Sequence, residues 1–96
     1  MPTSIANVAT DAAPRYAKQL ASHLGRKVAV EELADGGYRI TLTAGEGVLE
    51  PQSDQLVMRA TAADDESLAV VQDVLGRHLE RFGQRRELVV TWEAAA

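Results

Sequence analysis

The chain has 96 residues, the size of one domain, and its 10 Lys and Arg against 14 Asp and Glu give a net charge of −4. Such an acidic chain disfavours non-specific nucleic-acid binding, because phosphate backbones would be repelled. The absence of cysteine excludes disulfides, thiolate nucleophiles and cysteine-ligated metals. Residues 1–8 lack the pattern of a signal peptide, and no apolar run reaches the roughly 18 residues that a membrane span needs. We therefore expect one cytoplasmic domain over residues 1–96, without membrane or nucleic-acid partners.

A strand and an amphipathic helix are predicted first. Residues 3–10 are partly β-branched and loosely alternating, as in a strand. A helix over about residues 12–25 is indicated by apolar side chains at spacings of three and four residues, namely Tyr16, Leu20, Ala21 and Leu24. Pro14 falls in its first turn, where a missing N–H is tolerated. Gly25 stands where a left-handed residue commonly ends a helix.

Four short strands with turns between them are predicted next. The alternating segments are residues 28–33, 38–43, 48–50 and 56–61. Gly36 and Gly37 follow Asp35 in a hairpin signal. Gly45 and Gly47 predict a second turn over residues 44–47.

The second helix has the clearest pattern. Its apolar stripe covers four turns and consists of Leu68, Val71, Leu75, Leu79 and Phe82. Asp64, Asp65 and Glu66 stand at its start, where N-capping and negative charge favour a helix. Gly76 lies inside it at a cost of about 1 kcal/mol relative to alanine, which predicts close approach of another element. Alternation over residues 88–92 predicts a final strand, followed by fraying over residues 94–96.

This element order, β-α-β-β-β-β-α-β, predicts an α+β two-layer sandwich. Two helices should cover one face of a mostly antiparallel sheet, in a split β-α-β arrangement related to ferredoxin-like folds. The strand residues assigned to the covered face are Val28, Val30, Tyr38, Ile40, Leu42, Leu56, Met58, Leu88, Val90 and Trp92. The other face should be polar, with some apolar area from Ala29, Val57 and Val89.

The two histidines, His23 and His78, both fall near helix C-termini. In a split β-α-β arrangement the helices run antiparallel, so their C-termini should point in opposite directions. A helix of about 14 residues is roughly 20 Å long. On that basis we expect the two histidines to be too far apart to share a metal within one chain. Each should interact favourably with its helix dipole, or lie half-buried against Tyr16 or Phe82.

A basic ridge runs along the second helix. Arg77, Arg81 and Arg85 recur every four residues, with His78 and Arg86 beside them. Such a patch could hold a carboxylate or phosphate. The alternative is ordinary charge pairing on a solvated helix, because acidic residues such as Asp73 and Glu80 interleave with the arginines. Catalytic and dinucleotide motifs are not found, and the four aromatic residues all fall in core positions.

Short segments carry a family pattern: Ala9-Thr10, Lys18-Gln19-Leu20, His23-Leu24, Lys27-Val28, His78-Leu79-Glu80-Arg81-Phe82, Arg86-Glu87-Leu88 and Trp92. On these segments the chain resembles a bacterial family known as domain of unknown function 2218. A cysteine and an aromatic residue common in the first helix of that family are replaced by Ala21-Ser22 and Leu24. The resemblance implies no assigned activity. It implies an accessory role near siderophore-interacting and iron-uptake proteins, with a siderophore-related protein as partner, and His23 and His78 match the family pattern.

The leading hypothesis is a non-catalytic accessory or binding module, self-associating as a homo-oligomer, without cofactor, metal or catalytic residues. Its ligand site is assigned to His78, Arg77, Arg81, Arg86 and His23. One alternative is a small enzyme with a site across a subunit interface, using His78 as acid–base and Glu80 or Glu87 to orient it. Another is an interaction domain that pairs through the polar sheet face.

Overall fold

Six strands, each antiparallel to its neighbours, form one sheet in a computed structural model that describes residues 2–34, 36–82 and 88–95. The elements are β1 (Thr3–Ala9), α1 (Ala13–Leu24), β2 (Ala29–Glu32), β3 (Tyr38–Thr41), β4 (Gly45–Pro51), β5 (Gln55–Ala62), α2 (Asp65–Phe82) and β6 (Glu93–Ala95). The strands lie in the order β2-β3-β4-β5-β1-β6. The predicted α+β architecture and element order are confirmed.

The sheet combines two β-α-β units with an inserted pair of strands. In the first unit α1 joins β1 to β2, and in the second α2 joins β5 to β6. β1 pairs with β5 in the interior, while β3 and β4 extend the sheet towards β2. Both helices bury their apolar stripes in one core against the same sheet face, which includes the fully buried Ile40, Leu56 and Met58. Neither described helix is both long and apolar enough to cross a membrane.

The C-terminus of α1 differs from the one that the sequence predicts. Gly25, predicted to be left-handed, has φ −61° and ψ −12°, which is right-handed helical geometry. Its N–H donates to the Ala21 carbonyl at 2.8 Å, and the N–H groups of Lys27 and Val28 both donate to the Leu24 carbonyl at 3.0 Å. The carbonyls of the last turn are therefore satisfied by continued helical turns, and no left-handed residue is required.

The start of α2 is capped as the sequence predicts. The Asp64 carboxylate accepts a hydrogen bond from the Ser67 backbone N–H at 2.7 Å. That bond lowers the pKa of Asp64, because it favours the ionised form. The cap fixes where α2 begins, and with it the positions of the side chains that α2 carries further along.

The predicted turn over residues 44–47 is wrong, because Gly45 and Gly47 belong to β4. The reversal is tighter, with Leu42 and Gly45 exchanging backbone hydrogen bonds of 2.8 and 3.2 Å. A Cβ atom on Gly47 would lie 2.6 Å from Leu75 Cδ1. These glycines therefore let α2 pack closely on the sheet.

The final strand is shorter and later than predicted. β6 spans Glu93–Ala95, where Ala94 pairs with Ser4, so residues 88–92 form no strand and the fraying predicted for Ala94 and Ala95 is wrong. The alternating Leu88, Val90 and Trp92 instead pack against the core. A Cβ atom on Gly76 would lie 3.3 Å from Trp92 Nε1 and from Val90 Cγ1. The close approach predicted at Gly76 is confirmed.

The uncovered sheet face carries ion pairs between strands. Arg39 contacts Glu46 at 2.7 Å and Glu31 at 3.4 Å, and Arg59 contacts Glu50 at 2.7 Å. These partly exposed pairs contribute little stability but keep the face polar, as predicted. Of the apolar residues assigned to this face, Val57 is only 4% exposed, and Val89 lies outside the sheet. Ala29 in β2 is exposed, so of the three residues it alone leaves apolar area on the described sheet face.

Candidate functional site

The C-terminal turns of α1 and α2 meet, and they bring the two histidines into contact. The ring centroids of His23 and His78 lie 5.1 Å apart, with 47° between the ring planes. Phe82, one turn beyond His78, meets His23 edge to face at 5.4 Å. The prediction that the histidines lie far apart is wrong. Antiparallel helices that lie side by side over their full length would place His23 near the first turns of α2. The observed contact with His78 therefore requires a different placement of the two helices, which is set by the core beneath them.

His78 is held in one orientation by a backbone hydrogen bond. Its Nδ1 atom lies 2.6 Å from the Val74 carbonyl oxygen, one turn earlier in α2. A carbonyl oxygen can only accept, so Nδ1 must carry the proton. The other ring nitrogen, Nε2, therefore has a lone pair when the ring is neutral. The ring is half-buried.

His23 is exposed and lies in a positively charged environment. Its pKa is lowered from the ordinary 6.5, first by loss of hydration and then by the positive charge of His78, Arg26, Arg81 and Lys27. We name as the basic cluster the basic side chains of these two turns, which are His23, Arg26, Lys27, Arg77, His78 and Arg81. The overall negative charge of the chain is thus locally reversed. The two helix C-termini, which carry partial negative charge, favour such a grouping of cations.

The arginines of the cluster differ in their pairing. Arg77 contacts Asp73 at 2.9 Å, and the two side chains are 79% and 59% exposed, as in an ordinary surface pair. Arg81 is exposed and makes no ion pair with a carboxylate in the described residues. Arg86, also assigned to the site from the sequence, lies outside those residues. Of the predicted set, the structure brings together His23, His78 and Arg81, with Arg77 beside them.

Two open clefts flank the histidine pair. One, of about 270 Å³, is lined by Arg77, His78 and Arg81. The other, of about 240 Å³, is lined by Gln19, Ser22, His23, Arg26 and Phe82. Arg26 and Lys27 were not assigned to the site from the sequence. The available sequence signal for these two residues was their position directly after the first helix, three and four residues beyond His23.

The carboxylates proposed to orient His78 do not do so where the structure describes them. Glu80 accepts instead from the Val90 backbone N–H at 3.3 Å, and two residues of separation place it on another side of α2 from His78. Glu87 lies outside the described residues. Across residues 2–34, 36–82 and 88–95, no three acidic or histidine side chains are grouped as metal ligands. The acid–base pair of the enzyme hypothesis is therefore not supported at Glu80.

The pKa of His23 predicts a specific dependence of stability on pH. Because its folded-state pKa lies below 6.5, the unfolded chain binds the proton first as the pH falls. The stability that neutral His23 contributes is thus present above that value and is lost at lower pH. Between about pH 7.5 and about pH 5.5, the midpoint temperature of unfolding should fall more in the wild type than in His23→Gln. Thermal unfolding followed by circular dichroism measures it, and parallel curves for the two proteins would contradict it.

Comparison with known proteins places the chain in a family. Residues 5–93 match the profile of a family described as an uncharacterized protein conserved in bacteria, domain of unknown function 2218. The chain belongs to this family. It is similar to the NMR structure of PA4090 from Pseudomonas aeruginosa, with a TM-score of 0.80 and 30% identity over 97% of this chain and 96% of that one. No curated protein matches the sequence.

A second structural neighbour supports the fold alone. It is the de novo designed protein LFR1 1 with ferredoxin fold, with a TM-score of 0.56, 10% identity, and coverage of 99% of this chain and 84% of that one. The family description names no activity. A function must therefore be argued from the basic cluster.

Proposed function

We propose that the protein is a non-catalytic binding module that holds a small anionic ligand at the basic cluster. The observation that carries this proposal is Arg81, an exposed guanidinium beside the 5.1 Å pair of histidines that has no carboxylate partner in the described residues. A guanidinium in that position can bind a carboxylate or phosphate through two parallel hydrogen bonds. The adjacent cleft of about 270 Å³ has room for a small ligand or for the anionic end of a larger one.

Each residue of the cluster has a distinct role in this proposal. Arg81 supplies the main charge and the paired donors. His78 forms part of the cleft wall, with its ring held in place by the Val74 carbonyl. Arg77 is partly engaged by Asp73 and can pivot from it at little cost, since exposed pairs are worth under about 1 kcal/mol. Arg26 and Lys27 add charge that attracts anions from solution.

The family resemblance suggests which anions to test first. An accessory role beside siderophore-iron proteins would make a ferric siderophore, an anionic chelate, one ligand class and a siderophore-related protein one partner. A cytoplasmic homo-oligomer belongs to the same proposal. Native mass spectrometry of the protein with and without ferric siderophore would report subunit number and bound mass together.

The test of the proposal is a comparison of two charge-matched variants. Inorganic phosphate and citrate are titrated into wild type, Arg81→Gln and Arg15→Gln by calorimetry at low ionic strength. Arg15 is exposed in the first turn of α1, so its variant makes the same charge change away from the cluster. Loss of a charge-assisted contact should weaken binding about tenfold or more in Arg81→Gln and much less in Arg15→Gln. Equal affinities in the two variants, or no binding by wild type, would refute the proposal.

A further inference from the structure

The rings of His23 and His78 are spaced as two ligands of one metal ion would be. A metal–nitrogen distance of about 2.0–2.1 Å puts each imidazole centroid roughly 3.2 Å from the metal, and two rings at the tetrahedral angle then have centroids about 5.2 Å apart. The observed separation is 5.1 Å. We propose that His23 and His78 together bind one divalent transition-metal ion, at a site that bridges α1 and α2.

The hydrogen bond at His78 fits this role. Metal-bound histidines usually donate their second ring N–H to a carbonyl or carboxylate, which fixes the ring and leaves the other nitrogen to coordinate. His78 does this through Nδ1 and the Val74 carbonyl at 2.6 Å. Its Nε2 is the coordinating atom in our proposal, and little reordering of the ring is required on binding.

His23 supplies the second ligand from the other helix. Its side chain is exposed, so an ion from solution can reach it. The neutral imidazole is the form that coordinates a metal, so binding should weaken when the ring is protonated. Binding forms two metal–nitrogen bonds and releases two waters from the hydrated ion. The remaining positions keep water or an anion, for which the neighbouring cleft leaves room.

The positive charges around the histidine pair influence which metal ion binds there. Arg26 and Lys27 from the end of α1 and Arg81 from α2 all act on His23, and all are positive. They weaken binding of any dication, so the site selects ions with high intrinsic affinity for imidazole. Cu²⁺ should bind more tightly than Ni²⁺ or Zn²⁺, whereas Mg²⁺ and Ca²⁺, which prefer oxygen ligands, should not bind.

The two sites share His78 and the cleft beside it, but they should respond to salt in different ways. Raising the ionic strength screens the cationic cluster. Anion binding should therefore weaken with added salt. Metal binding should hold or strengthen, because the same screening reduces repulsion of the dication.

The experiment uses the chain without an affinity tag. Cu²⁺ and Zn²⁺ are titrated by calorimetry into wild type, His23→Ala, His78→Gln and Ser53→Ala. Ser53 is exposed in the turn between β4 and β5, so its variant should bind as wild type does. We expect one ion per chain, and a loss of affinity of at least about tenfold in each histidine variant, since each removes one of two protein ligands. The metal should also raise the midpoint temperature of wild type but not of the histidine variants.

Three results would overturn the inference. They are undiminished affinity in either histidine variant, an affinity loss in Ser53→Ala equal to that in His23→Ala, and a wild type that binds no Cu²⁺ or Zn²⁺. Folding of each variant is checked first by circular dichroism. If His78→Gln does not fold, His23→Ala decides alone, because an exposed side chain can be removed without opening the core.

Discussion

Replacing Leu75 by alanine should lower the free energy of unfolding by about 2–5 kcal/mol, a large part of the roughly 5–15 kcal/mol that holds a domain of this size together. Leu75 is fully buried where α2 packs on β4. Truncation removes apolar contacts and leaves a cavity. Urea denaturation measures the effect, and Val70→Ala is the control on the same helix, because Val70 is 49% exposed. Equal losses in the two variants would contradict the assigned packing.

Gly47 offers a stricter test of the same contact. Gly47→Ala alone should destabilise the protein, because the new methyl group would lie 2.6 Å from Leu75 Cδ1. In the Leu75→Ala background the methyl group meets the cavity instead, so the same change should be neutral or stabilising. A double-mutant cycle reports this coupling directly. Additive effects would show that Gly47 does not pack under Leu75.

Gly45→Ala should be the most damaging of the single-methyl additions in β4. Its Cβ would lie 2.3 Å from the Thr61 carbonyl oxygen and 3.0 Å from Val71 Cγ2. The end of a leucine can rotate away, but a backbone carbonyl is fixed by the pairing of β4 with β5. We expect a loss of about 1–3 kcal/mol or more, from overpacking and disturbed strand pairing.

Thr43→Ala is the control for Gly45→Ala, because Thr43 is exposed in the adjacent turn. Both variants are compared by urea denaturation at equal protein concentration. Wild-type stability in Gly45→Ala would contradict the close contact of β4 with α2.

The two glycines connect the core to the candidate site. Val71 and Leu75 rest over Gly45 and Gly47, and His78 lies on the same helix within one turn of Leu75. The depth at which α2 sits on β4 therefore influences where His78 meets His23. Substitutions at these glycines should disturb the histidine pair as well as stability, an effect visible in histidine ring NMR signals.

Local patterns were sufficient where short-range physics decides the outcome. The periodic stripes of both helices, the Asp64 cap, the hairpin at Gly36 with φ 87°, and the element order all follow from neighbouring residues. The arginine ridge was also visible, because residues four apart share one side of a helix. These features depend on propensity and spacing, which the amino-acid order determines by itself.

Two features depended on contacts between segments distant in the sequence. Glycine is typical of turns and of close approaches alike, so the strand role of Gly45 and Gly47 became visible only with α2 above them. The alternation of Leu88, Val90 and Trp92 is also typical of a strand, but here it reflects packing of these side chains against the core.

The candidate site, too, was determined partly by the sequence and partly by the tertiary structure. The amino-acid order determined that His23 and His78 stand near helix ends, and that arginines surround the second. Only the tertiary structure decided that these ends meet, with the rings 5.1 Å apart. The relative placement of two helices is set by how their buried side chains fit the sheet and each other, and no spacing within one helix encodes it.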